Sequence, residues 1–173
     1  YMQSSNPDIY AVGDVTGIDM FVYMAAYGGK LAAKNALEGN THKYLNTAMP
    51  TVVFSDPQMA MVGLTEMQAI NKGHDVKTSI ITLNHVPRYI AARDTRGLIK
   101  LVADKDTDKL LGAHILAPDG GELIQTIVFA LKANMSTEEL ANTIFPYLTG
   151  VEGLKLAAQT FDKDVSKLSC CAG

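Results

Sequence analysis

Two cysteines, Cys170 and Cys171, stand side by side near the end of the chain, and the chain has no others. The Cα atoms of neighbouring residues are about 3.8 Å apart, whereas an unstrained disulfide needs about 4.4 to 6.8 Å. A bridge between them would be strained, and it would add little stability because it closes almost no loop. The pair therefore indicates a site for a soft metal ion or for thiol exchange. The alternative is a frayed terminus with chance cysteines.

The composition limits the class of protein to which such a site could belong. The chain has 173 residues, is 47% hydrophobic, and carries a formal charge of -3. This mix predicts a globular core, and the absence of a basic run argues against a nucleic-acid partner. No stretch approaches the roughly 20 apolar residues of a membrane span. Small secreted proteins stabilised by disulfides have several spaced cysteines, whereas this chain has only one adjacent pair. We therefore expect a reducing, cytoplasmic location. The start at Tyr1 predicts a fragment of a longer protein.

The first 47 residues predict an element pair that could hold a cofactor. The apolar run 9–12 indicates a buried strand that delivers Asp14 to its end, and 21–37 has a helical pattern. Gly28 and Gly29 lie inside that helix, where glycine is costly unless another segment packs closely. A strand end that leads into a helix N-terminus is a common place for electronegative cofactor atoms.

After Pro50 the pattern changes to strands followed by helices. We predict strands at 51–54, 59–64, 76–83, 97–103 and 110–116, with 104–108 as a hairpin turn rather than a calcium loop. Capping boxes at Thr65 and Ser136 open two short helices, and Asp119 is predicted to cap a longer one. A last helix is predicted over 152–162. This order predicts an α+β fold, an antiparallel sheet flanked by helices. The four histidines show no zinc-ligand spacing.

Two stretches carry a family resemblance. The run 8–17, Asp-Ile-Tyr-Ala-Val-Gly-Asp-Val-Thr-Gly, resembles the second flavin motif of the pyridine nucleotide-disulfide oxidoreductases, and 55–69 resembles the entry to their interface domain. The resemblance implies a remnant of an α/β FAD-binding domain at 1–47, a homodimerisation domain at 48–163 and a flexible Cys-Cys tail at 164–173. It also implies that Asp14 binds the ribityl chain of FAD and that the Val22 amide approaches the flavin ring. The first flavin motif, the nicotinamide domain and the redox Cys-x4-Cys are absent.

The segment before the last helix indicates which chemistry to expect. Disulfide-reducing members of this family carry His-Pro-Thr-x-x-Glu there, whereas this chain reads Tyr147-Leu-Thr-Gly-Val-Glu152. A phenol with a pKa near 10 is a poor proton shuttle at neutral pH, but its oxygen and ring can contact a cation. Tyr147 is therefore predicted to lie beside a bound metal ion. The alternative is an amphipathic residue at the edge of the core.

The runs 144–149 and 151–161, together with the Cys-Cys end, resemble the mercuric reductase branch of the family. That resemblance implies NADPH-dependent reduction of Hg(II), with Cys170 and Cys171 passing the ion to the partner subunit, and a role in mercury detoxification. A large thioredoxin reductase is the alternative enzyme. A third possibility is that the chain alone is a non-catalytic dimerisation and metal-binding module, since the residues for turnover are missing.

Overall fold

The computed structural model describes residues 1–168. The chain divides into two compact units, Tyr1–Asn46 and Thr47–Gly173, which we call the first and second units. Among residues 1–168, every helix is too short or too polar to cross a lipid bilayer. The predicted sites at Cys170 and Cys171 lie outside the described residues, as does the part of the predicted tail that follows Leu168.

The first unit is built around one long helix. A 3-10 turn at Gly13–Thr16 precedes α1 (Val22–Glu38), so the predicted helix is confirmed within one residue at each end. A Cβ on Gly28 would lie 3.4 Å from the Val12 Cβ, which supplies the close packing that this glycine needs, whereas nothing comes within 4 Å of a Cβ on Gly29.

The predicted buried strand at 9–12 is wrong. Tyr10 forms only an isolated bridge with Gln3, and the side chain of Ile9 is 53% exposed. A strand is buried only when other strands or helices cover it on both faces. The other backbone hydrogen bonds of this run go to the nearby residues Met2, Ser4 and Asn6, so the apolar pattern is present without a sheet.

The second unit contains a five-stranded antiparallel sheet, which confirms the predicted fold class. Its spatial order is β1-β2-β5-β4-β3. The strands are β1 (Thr51–Val53), β2 (Gln58–Gly63), β3 (Val76–Thr82), β4 (Leu98–Asp104) and β5 (Leu110–Ala117).

Five helices accompany the sheet, with 3-10 turns at Leu83–His85 and Val165–Lys167. Both predicted capping boxes are confirmed: the side chains of Thr65 and Ser136 each accept a hydrogen bond from the backbone of the third helical residue. The helices are α2 (Glu66–Asn71), α3 (Pro87–Ala92), α4 (Gly120–Lys132), α5 (Thr137–Asn142) and α6 (Glu152–Gln159).

The core lies between the sheet and two of these helices. α4 packs on β2 and β5, and α6 packs on β3 and β4. In the second half of β5, Ala113, Ile115 and Ala117 are buried while His114 and Leu116 are half-buried, as expected for a strand with one covered face. α6 is buried almost all round and ends at Gln159, three residues earlier than predicted. After α6, Leu168 packs against this same core.

The β4–β5 turn uses its carboxylates to hold the hairpin, which confirms the predicted turn. Asp104 accepts hydrogen bonds from the backbone N–H and Oγ1 of Thr107, both at 2.9 Å, and its Oδ2 lies 2.7 Å from Nδ1 of His74. Asp108 pairs with Lys77 at 2.5 Å and accepts a hydrogen bond from Thr137. Within residues 1–168 no group of three or more candidate metal ligands comes together.

Candidate functional site

The segment between α5 and α6, residues 144–152, presents Tyr147 to solvent. We call it the 144–152 turn. Tyr147 is 65% exposed and Ile144 is 94% exposed, whereas Phe145 packs against the core. The Thr149 hydroxyl donates a 2.7 Å hydrogen bond to the carbonyl oxygen of Pro146, which closes the turn around Tyr147. The exposed phenol is therefore carried on an ordered backbone, available to a partner or ligand.

Gly150 rests on a phenol–carboxylate pair from elsewhere in the second unit. Tyr89, on α3, donates a hydrogen bond from its hydroxyl to Oδ1 of Asp119. A Cβ on Gly150 would lie 2.6 Å from the Tyr89 oxygen and 2.7 Å from Oδ2 of Asp119. Real Cβ atoms do not approach oxygen so closely, so this position fits glycine alone while the pair keeps its place.

Asp119 was predicted to cap α4, and that prediction is wrong for its side chain. The Asp119 carboxylate makes no capping hydrogen bond, although the backbone carbonyl accepts from the N–H groups of Glu122 at 3.0 Å and Leu123 at 3.2 Å. The buried phenol of Tyr89 competes for the carboxylate. A hydrogen bond between a buried donor and a charged acceptor is worth more than an exposed cap.

Burial raises the pKa of Tyr89 well above its ordinary value, and the hydrogen bond to Asp119 and the charge of Asp119 raise it further. The positive charge of Arg88 opposes this effect. Tyr89 is only 3% exposed. The raised pKa therefore keeps the hydroxyl protonated at neutral pH, where it can donate to Asp119.

Glu152, the first residue of α6, is a buried acid. It is 2% exposed, and its Oε2 has no hydrogen-bond partner within the described chain. Burial raises the pKa of this carboxyl, and the positive charge of Lys155 opposes the rise. Resemblance identified Glu152 as a retained motif residue, but the lack of a partner is a feature that sequence could not show.

The residues predicted to contact a flavin lie together in the first unit. Asp14 is exposed in the 3-10 turn, and Val22 begins α1 with its side chain 84% exposed. A Cβ on Gly13, which has a φ of +73°, would lie 3.1 Å from the Ala25 Cβ, so the turn packs against the first turns of the helix.

The N-terminus of α1 suits an electronegative ligand. No side chain caps this end of the helix, and its first turn contains no acidic residue. Open helix N-termini favour electronegative atoms, and an exposed carboxylate nearby can accept hydrogen bonds from ligand hydroxyls. The exposed Asp14 and the open helix start at Val22 are therefore compatible with the flavin contacts that the resemblance implies.

The structure brings some of the predicted site residues together and separates others. Tyr147 and Glu152 share one turn of the second unit, while Asp14 and Val22 share the first unit. Sequence analysis missed Tyr89 and the site role of its contact with Gly150. Only a weak signal for this contact is present in the sequence. Gly150 lies just before a helix, and a glycine at such a place can indicate close packing.

Comparisons with known proteins place this fold in a family. Residues 49–158 match the pyridine nucleotide-disulphide oxidoreductase dimerisation domain. The chain belongs to this family. The matched segment covers β1–β5 and nearly all of α6, so the turn with Tyr147 and the pair beneath it are parts of the family domain.

Curated relatives confirm the resemblance to mercuric reductases. The chain is 51% identical to a mercuric reductase of Bacillus cereus over 173 residues, covering all of this chain and 27% of that protein. It is 52% identical to one from Shigella flexneri, covering 99% of this chain and 30% of the relative. For Streptomyces lividans the identity is 50%, over 100% of this chain and 36% of the relative. The chain thus spans about a third of these relatives or less.

Solved structures of the family share the fold. The HOCl-induced flavoprotein disulfide reductase RclA from Escherichia coli superposes with a TM-score of 0.82 at 28% identity, covering 91% of this chain and 37% of that one. LpdA from Mycobacterium tuberculosis gives 0.81 at 25% identity, covering 92% and 35%. The chain therefore shares its fold with part of a flavoprotein disulfide reductase.

Proposed function

We propose that this chain is the interface part of a homodimeric flavoprotein that uses NADPH to reduce Hg(II) to Hg(0). The observation that carries the proposal is the exposed phenol of Tyr147, on an ordered turn, where disulfide-reducing relatives have a histidine. The identity of about half to mercuric reductases, over the whole chain, supports the same substrate.

The chemistry of the two substrates differs at this position. Reduction of a disulfide releases thiolates that need protons, so an imidazole with a pKa near 7 is useful. Reduction of Hg(II) consumes two electrons and no proton, because NADPH and Hg(II) give NADP⁺, H⁺ and Hg(0). A phenol cannot replace the imidazole as a neutral-pH shuttle, but it can contact a metal ion through its oxygen or ring. Tyr147 suits the second reaction.

Cys170 and Cys171 would deliver the ion. Two thiolates satisfy a soft ion such as Hg(II), and they pass it on when an incoming thiolate forms one Hg–S bond as an old one breaks. The acceptor would be the redox Cys-x4-Cys of the partner subunit, in a part of the protein beyond this chain. Leu168, which packs on the core two residues before Cys170 in sequence, anchors the segment from which the tail continues.

The first unit would contribute to cofactor binding. When bound, FAD would pass the two electrons of NADPH toward the metal. Asp14 would accept hydrogen bonds from the ribityl hydroxyls, and the amide at Val22, on the open N-terminus of α1, would face the flavin ring. A cytoplasmic location and a role in mercury resistance are part of the same proposal.

The proposal is tested in the complete protein with thiol-bound Hg(II) as substrate. We expect replacement of both tail cysteines by alanine to slow mercury-dependent NADPH oxidation at limiting substrate by at least about tenfold, and Tyr147→Phe to slow it by about tenfold. Tyr1→Phe is the control, since it removes another exposed phenol from the first unit. Full activity in the cysteine variant would contradict the delivery role.

A disulfide reductase is the second candidate, favoured by the 28% identity to RclA, a flavoprotein disulfide reductase. Rapid NADPH-dependent reduction of a disulfide by the complete protein, with slow reduction of Hg(II), would favour that function. The 173-residue chain alone is expected to bind Hg(II) and dimerise without oxidising NADPH. Turnover by the isolated chain would show that the missing parts are unnecessary.

A further inference from the structure

We propose that the hydrogen bond between Tyr89 and Asp119 is a positioning device that fixes the 144–152 turn and thereby sets the location of the Tyr147 phenol. The inference rests on the proposed function only where it assigns Tyr147 to the mercury site. The mechanical part, that the pair holds the turn, rests on the geometry of the second unit alone.

The pair forms a rigid support because its two members come from separate, ordered elements. Tyr89 lies in α3, directly after a 3-10 turn and the fully buried Val86, and its own ring is buried. Asp119 lies at the start of α4, where its backbone carbonyl takes part in the first turn of the helix. The hydrogen bond links these elements across 30 residues of sequence.

Gly150 complements the shape of this support. A Cβ at this position would overlap both the Tyr89 hydroxyl and the Asp119 carboxylate, so the backbone of the turn sits directly on the two oxygen-bearing groups. Loss of the Tyr89 hydroxyl would remove both the hydrogen bond and part of the surface against which Gly150 packs. The contact thus restricts the turn sterically as well as through the hydrogen-bonded pair.

The backbone position of Gly150 determines that of Tyr147, because the two residues are close in sequence. The carbonyl oxygen of Gly150 accepts a 3.0 Å hydrogen bond from the N–H of Gly153, which fixes it to the start of α6. On its other side, the Thr149 hydroxyl closes the turn onto Pro146. Only two residues separate Gly150 from Tyr147, so a shift of the first displaces the second.

Tyr89 is therefore a positioning residue, and the predicted consequence is specific. Without the hydroxyl, the turn should remain attached to α6 but lose its fixed contact beneath Gly150. The phenol of Tyr147 would then sample several positions. A reaction that uses Tyr147 should slow, and a reaction that does not use it should keep its rate.

The test uses Tyr89→Phe in the complete protein, with Thr137→Val as the matched control. Thr137 is 2% exposed and its hydroxyl donates to the Asp108 carboxylate, so the control removes the same kind of bond outside the turn. We expect backbone amides in 147–153 to exchange hydrogen about tenfold faster in Tyr89→Phe and at the original rate in Thr137→Val. Equal exchange in the two variants would overturn the proposal.

A kinetic cycle then separates this inference from the proposed function. Tyr147→Phe should slow turnover of Hg(II) about tenfold in the parent protein and less than about twofold in the Tyr89→Phe background, because both changes remove one positioned phenol. Independent, multiplying effects would overturn the link to Tyr147. If Tyr147→Phe alone has no effect, the proposed function fails while the exchange result still decides the mechanical claim.

Gly150→Ala provides a second variant should Tyr89→Phe fold poorly. It retains the hydroxyl and the carboxylate but places a Cβ where the pair lies, so the turn must move away from its support. Faster exchange in 147–153, with a reduced effect of Tyr147→Phe, supports the device. Unchanged exchange in this variant would overturn it.

Discussion

Replacement of the buried acid Glu152 by glutamine is expected to stabilise the second unit at neutral pH and to remove part of its pH dependence. The carboxyl is 2% exposed, and its Oε2 has no partner within residues 1–168. Burial raises its pKa in the folded protein, with Lys155 opposing. Glutamine has nearly the same shape and cannot ionise. It therefore avoids the free-energy cost of burying a charged carboxylate, or of protonating the carboxyl at a pH above its ordinary pKa.

The pH dependence of the effect follows from proton linkage. An exposed glutamate in the unfolded chain has a pKa of about 4.3. Because the folded-state pKa is higher, the folded chain binds more protons between the two values, and the free energy of unfolding falls there by about 1.4 kcal/mol per pH unit. The stabilising contribution of the neutral acid is thus complete below about pH 4.3 and is lost as the pH rises through the folded-state pKa. We expect Glu152→Gln to recover about 1 to 3 kcal/mol at pH 7.5.

Urea denaturation of the 173-residue chain between pH 4 and pH 8, followed by circular dichroism, measures this difference. Glu122→Gln is the matched control, because Glu122 also lies in the first turn of a helix but is exposed. The control should lose a few tenths of a kcal/mol through the helix dipole and should keep the pH dependence of the parent. Parallel pH profiles for the parent and Glu152→Gln, or a less stable glutamine variant at pH 7.5, would refute the reasoning.

Three further changes test the fold around the site. Hydrogen bonds lower the pKa of Asp104 to about 2, the one from His74 having the largest effect. The stabilising effect of the Asp104 carboxylate is therefore present above about pH 3.9 and is lost as the pH falls toward about 2. In urea titrations, Asp104→Asn should be less stable than the parent at about pH 6 and equal to it near about pH 2. Ser136→Ala removes the capping box with Glu139 and should cost about 1 kcal/mol in the same titration at pH 7. Gly97→Ala places a Cβ 1.9 Å from the carbonyl oxygen of Leu116 at a φ of +127°, so we expect a loss of about 3 kcal/mol or more, visible as a lower thermal midpoint.

Local patterns were sufficient to predict most elements of the second unit. The capping boxes at Thr65 and Ser136 depend on side chains three residues apart, and β3 and β5 follow short runs of strand-forming residues. The two wrong predictions depend on what the segment meets in the folded chain. The apolar run at 9–12 pairs only with nearby residues of the chain start and joins no sheet, and the Asp119 side chain bonds to Tyr89 instead of to its own helix.

The candidate site shows the same division. Tyr147 could be identified because it replaces a histidine in a recognisable segment, and Asp14 and Val22 because they match a flavin motif. Nothing in the sequence connects Gly150 with residues 31 and 61 positions earlier. The contact forms only when folding brings α3, the start of α4 and the 144–152 turn together. In the sequence its only trace is the glycine at position 150, which has no side chain to overlap the pair.

The direction in which Tyr147 faces explains why support must come from beneath the turn. Ile144 and Tyr147 are both strongly exposed. Exposed large apolar side chains lower solubility and do not stabilise the isolated chain. Such residues are useful when a partner or ligand covers them, as the match to a dimerisation domain suggests for this surface. Before such a contact forms, the exposed phenol needs support from its own unit. The hydrogen-bonded pair under Gly150 gives that support, because it joins the turn to two other elements.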